Sequence, residues 1–113
     1  MDRKLQKYLS DILSSILEIE SFMEDRPKEY ATFCNDTLFR RGVERNMEIM
    51  GEAMNQVLKI NPDIPITASR KIVDTRNFVI HAYDSLKPDI LWGIVVNHMP
   101  LLKLEVKALL DIE

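Results

Sequence analysis

Cysteine, glycine and proline are all scarce in this chain. The single cysteine, Cys34, excludes an internal disulfide and gives no sign of an oxidising compartment. Its expected place is that of a small apolar filler. Three glycines and five prolines in 113 residues leave few turns, which favours long helices over many short strands. No apolar run approaches the roughly 20 residues of a membrane span, so no membrane association is expected. Met1-Asp2-Arg3-Lys4 leads into a charged amphipathic stretch instead of a signal peptide, and the expected location is cytoplasmic. With two histidines and no carboxylate cluster at ligand spacing, neither a metal site nor a cofactor is expected. Excess positive charge is missing as well. A net charge of −3 argues against bulk non-specific binding to nucleic acid. Local basic clusters remain at Arg40, Arg41 and Arg45, and at Arg70, Lys71 and Arg76. Taken alone, each reads as a solvated helix face.

What the chain does have is helical periodicity. Its length fits one domain, residues 1–113. A helix is expected over 3–24, where Leu5, Leu9, Ile12, Leu13, Ile16, Leu17 and Ile19 recur at steps of three and four. A short helix over about 27–34 follows, with Pro27 at its start. The longest helix spans about 36–60, capped by Asp36 or Thr37. Its apolar stripe is Leu38, Val43, Met47, Met50, Met54, Val57 and Leu58, with Ile49 and Ala53 beside it. Gly51 inside it suggests close approach of another helix, since glycine costs up to about 1 kcal/mol there relative to alanine. Asn61-Pro62-Asp63-Ile64-Pro65 stops this helix. A fourth begins near Thr67 or Ser69 and runs to about Tyr83. A last one begins near Asp89, with Pro100 kinking or restarting it. The expected architecture is all-α: an up-and-down bundle of four long helices plus a short one.

The chemistry concentrates in Arg76-Asn77-Phe78-Val79-Ile80-His81-Ala82-Tyr83. Arginine is a permanent cation that grips phosphate, and histidine moves protons near pH 7. On an ideal helix Arg76 and His81 stand about 140° apart. They converge if the helix loosens near His81, or if two copies face each other across a two-fold axis. Such a cleft can cut RNA without metal. One His81 takes the proton of a ribose 2′-hydroxyl, the other or a water protonates the leaving 5′-oxygen, and Arg76 holds the phosphate. Asn77, one turn before His81, can orient it. From spacing alone, an Arg and a His near a helix end are more often surface or C-cap residues. His98, just before Pro100, is expected to cap or cover a helix junction. Glu48 and Glu52, one turn apart, read as a solvated or interhelix-bonded pair.

Arg76-x4-His81-x-Tyr83 resembles the Arg-x4–6-His signature of the HEPN superfamily, in the form typical of HepT-like toxins. Arg45-Asn46-Met47-Glu48-Ile49-Met50-Gly51-Glu52-Ala53 is similar to the family's RNLEIIGEA segment. Asn61-Pro62-Asp63-Ile64-Pro65 resembles its PEIPW linker, and Leu91-Trp92 with Pro100-Leu101-Leu102 its C-terminal Trp and LPxL pattern. The chain departs from many relatives at Ala82, where they have Gly, and at Asp74-Thr75, where they have Gly-Met.

The resemblance implies a HEPN-like bundle that dimerises through the motif helix. It implies a metal-independent ribonuclease toxin paired with a minimal nucleotidyltransferase antitoxin. Arg76 and His81 carry over as the catalytic pair and Asn77 as the polar residue after the arginine. Glu52, within the matching segment, is a supporting residue. Tyr83 carries over as the tyrosine to which the antitoxin transfers AMP. The competing expectation, favoured by the net negative charge, is a non-catalytic HEPN module that binds a nucleotidyltransferase or a nucleotide as a scaffold.

Overall fold

Asp2 starts the first helix. Its Oδ1 accepts from the backbone N–H groups of Lys4 at 2.7 Å and Leu5 at 3.1 Å, meeting two donors that a helix N-terminus leaves open. Helix α1, Arg3–Phe22, then buries Leu9, Ile12, Ile16 and Ile19 on one face. Leu17, from the expected stripe, is 48% exposed. The computed structural model describes residues 1–81 and 88–112, and for 76–81 the backbone alone.

The short helix starts later than expected. Glu29 donates its N–H to the Pro27 carbonyl at 2.9 Å, a tight turn, and Glu29 stays extended. Helix α2 is therefore Tyr30–Asn35. Helix α3, Thr37–Ile60, follows after one residue, Asp36. That residue has two tasks. Its Oδ1 accepts from the Phe39 N–H at 3.0 Å as the α3 cap, and its Oδ2 accepts from Arg26 Nε at 2.8 Å. Arg26 also donates to the Phe22 carbonyl, so it ties the end of α1 to the start of α3.

Helix α3 is the spine of the bundle: α1 and α4 lie along it, and α2 and α5 also touch it. Phe39, Val43, Met47, Met50, Met54 and Val57 form its buried face. Leu38, expected in that stripe, is 76% exposed because its position falls about a quarter turn outside it. Gly51 is buried. A close approach is seen at Gly42, where a Cβ would stand 2.7 Å from Phe22 Cε2.

The link after α3 sends Ile64 and Ile66 into the core. Helix α4 is Ser69–His81. The last helical stretch is two helices, α5, Pro88–Asn97, and α6, Met99–Leu109. The break falls at His98, and Pro100 sits in the first turn of α6, where its missing N–H costs nothing. All regular elements among the described residues are helices, as an all-α bundle requires. One end of the core is aromatic. Phe33 stacks on Trp92 with ring centres 5.1 Å apart, and Phe39 meets Phe33 edge-on at 5.3 Å.

Candidate functional site

Helix α4 carries the motif, and two other elements hold it. Along its length it packs on α3. At its start, Thr67 donates its N–H and its Oγ1–H to the Glu105 carboxylate of α6, at 3.0 and 2.8 Å. A carboxylate just ahead of a helix N-terminus also meets the positive end of the helix dipole. Nothing in the sequence marks this contact, since 38 residues separate its partners.

The backbone of α4 is α-helical through His81. Arg76, Asn77 and His81 thus hold ideal positions on one helix, while their side chains lie outside the described residues. Ile72 and Val73 are buried on the inward side of α4. Asp74, Asn77 and His81 share a different face, at steps of three and four. No loosening of the helix as far as His81 brings the Arg76 and His81 positions together within one chain. Tyr83, the tyrosine of the motif, lies outside the described residues.

Glu52 is exposed on α3. With Glu48, Lys7, Tyr8 and Arg45 it lines a groove of about 460 Å³ between α1 and α3. The expected basic cluster on α3 is divided. Arg40 lies against Glu44 at 4.0 Å and donates to the Cys34 carbonyl, and Arg45 pairs with Glu48 at 3.6 Å. Burial pushes the Glu44 carboxyl above its usual value, against the pull of Arg40 and Arg41. Buried Thr75, just before the motif, satisfies its hydroxyl by donating to the Lys71 carbonyl at 2.8 Å.

His98 stands at the α5–α6 junction, as expected, but its side chain makes no capping bond. It lines a second groove, of about 550 Å³, between α4 and α5. Asp89, Gly93 and Asn97 also line it, and no motif pointed to them. They line the same groove as Lys71 and Asp74 of α4, far from them in sequence.

Residues 12–109 match the model of a family described as ribonuclease HepT-like. The chain belongs to this HepT-like ribonuclease family. Its HepT-like relatives include a protein of Methanocaldococcus jannaschii named as a candidate RNase, 32% identical over 93% of this chain and 95% of its own length. Another, from Thermococcus cleftensis and named as a candidate ribonuclease HepT, is 34% identical over 91% of this chain and 93% of its own. No solved structure matches the chain significantly. Among the described residues no helix is long and apolar enough to cross a membrane, and no three His, Cys, Asp or Glu side chains gather as metal ligands.

Proposed function

We propose that the protein is the ribonuclease toxin of a toxin–antitoxin pair. It cuts RNA without metal, through Arg76 and His81 at the cleft of a homodimer. A minimal nucleotidyltransferase antitoxin neutralises it by adenylylating Tyr83. The observation that carries this reading is the unbroken α-helix through both motif positions in a chain of a ribonuclease family. A straight helix keeps the two positions about 140° apart, so one copy does not aim both at one phosphate. Two copies related by a two-fold axis bring the Arg76 of one helix beside the His81 of the other.

In that cleft one His81 takes the proton of the 2′-hydroxyl. The 2′-oxygen attacks phosphorus and the bond to the 5′-oxygen breaks. The partner's His81 or a water gives the leaving oxygen its proton. Arg76 neutralises the charge that builds on the phosphoryl oxygens. The products are a 2′,3′-cyclic phosphate and a 5′-hydroxyl. Asn77 orients the imidazole, and Glu52 supports the cleft from α3. For silencing, the Tyr83 oxygen attacks the α-phosphorus of a nucleoside triphosphate, pyrophosphate leaves, and the added phosphate repels RNA at the cleft mouth.

The test is incubation of the purified protein with tRNA and total RNA in EDTA, beside His81→Ala. Cleavage with cyclic phosphate ends that disappears in the variant is the expected result. Intact RNA, from protein whose mass shows no AMP on Tyr83, would overturn it. The second reading, a non-catalytic scaffold for a nucleotidyltransferase or a nucleotide, draws support from the net charge of −3 and the ion-paired Arg40 and Arg45. It would be the reading left standing.

A further inference from the structure

We propose that the groove between α4 and α5 is a nucleobase subsite that prefers guanine, and that it seats one nucleotide of the RNA beside the scissile phosphate. The assignment rests on the ribonuclease reading above, and it makes Asp74 and Asp89 specificity-determining residues. Four observations carry it. The first is size: about 550 Å³ suits a mononucleotide and falls within the range of small-molecule sites. The second is the floor. Ile94 is buried beneath the groove, and Gly93 leaves room above it. A Cβ built on Gly93 meets nothing nearer than Asn97 Nδ2, at 3.9 Å. A flat base can therefore lie against the α5 backbone, over apolar surface.

The third observation is the walls. Each helix contributes one exposed carboxylate, Asp74 from α4 and Asp89 from α5, and Asn97 adds an amide. Carboxylates only accept hydrogen bonds. They select bases that present N–H donors along an edge. Guanine offers N1–H and the 2-amino group side by side, which fits one carboxylate with two bonds. Adenine and cytosine offer a single amino group, and uracil a lone imide N–H. The fourth is position. Asp74 lies on the face of α4 that carries the His81 position, seven residues on, and Lys71, on the same wall, supplies a cation for a flanking phosphate.

The experiment follows the amides of Gly93 and Asn97 by NMR while wild-type protein is titrated with guanosine 5′-monophosphate, then with uridine 5′-monophosphate. Guanosine monophosphate is expected to shift both amides and to bind about ten-fold more tightly or better, the worth of one good bidentate base contact. One of Asp74→Asn and Asp89→Asn, the one whose carboxylate holds the guanine edge, is expected to lower that preference by about the same factor. Among the described residues a Cβ on Gly93 meets no clash, so Gly93→Leu projects a side chain into the groove and is expected to abolish the shifts.

Equal binding of the two nucleotides, or shifts that bypass Gly93 and Asn97, would overturn the proposal. Shifts at those amides produced by raising protein concentration alone would seat a second copy in the groove, and overturn it too. The two readings fail separately. RNA cleaved in a His81-dependent way without guanine preference removes the subsite and keeps the nuclease. Guanosine monophosphate bound in the groove of a protein that leaves RNA intact does the reverse.

Discussion

At the scale of single residues, function and stability depend on different groups. His81 and Arg76 are proposed to act only on the reacting phosphate. Their alanine variants should fold as the wild type does and lose cleavage by about 10²-fold or more, as removal of a general base or a charge-stabilising group does. Gel assays of RNA cleavage beside thermal melts check both parts. Asp36 is the contrasting case. The Arg26 guanidinium and the Phe39 N–H hold its carboxyl below the usual carboxylate range. The folded state thus favours the ionised form. The stability Asp36 adds is present above the unfolded value of about 4 and is lost as pH falls through the lower folded value. Asp36→Asn should therefore melt below wild type at neutral pH, with the gap narrowing as the buffer is made more acidic. Phe39 is 1% exposed and contacts Phe22, Phe33 and Trp92. Phe39→Ala should cost about 3–5 kcal/mol in denaturant unfolding.

At the scale of elements, the motif helix depends on contacts distant in sequence. Glu105 of α6 holds Thr67 ahead of α4. Glu105→Ala should raise amide exchange over the first turn of α4 while α1 keeps its protection, since α1 has its own cap at Asp2. Where α1 crosses α3, Gly42 leaves no room for a methyl group beside the Phe22 ring. Alanine there gains about 1 kcal/mol of helix propensity. It meets an overpacking cost of about 1–3 kcal/mol. Gly42→Ala should lower the melting temperature, and adding Phe22→Leu should recover part of the loss.

At the scale of the whole molecule, the proposed cleft belongs to two chains. Arg76→Ala and His81→Ala protomers are each inactive by this reading, but a mixed dimer joins an intact Arg76 from one chain to an intact His81 from the other. Mixing the two variants in equal amounts after dissociation should restore about a quarter of wild-type sites, because half the dimers are mixed and each holds one complete pair. RNA cleavage assays on the mixture check this, and no recovery would confine the pair to a single chain.

How much of this was legible beforehand follows from the range of the forces involved. Periodicity, capping residues and prolines act within a few residues. For that reason the all-helical class, the Asp36 cap, the start of α4 near Ser69 and the restart at Pro100 could be read from the sequence. The motif that led to the family is likewise contiguous in the chain. Burial is set by neighbours distant in sequence. Leu17 recurs at helical spacing with buried residues yet is 48% exposed, and Gly42 matters only because Phe22 lies across it. The tie from Glu105 to Thr67 and the carboxylate-walled groove between α4 and α5 arise in the same way, from residues distant in sequence brought near one another. Residue types and their spacing determined that this chain is helical and where its reactive groups sit. Tertiary packing alone decided which groups face one another, because that depends on distances in space that spacing along the chain does not encode.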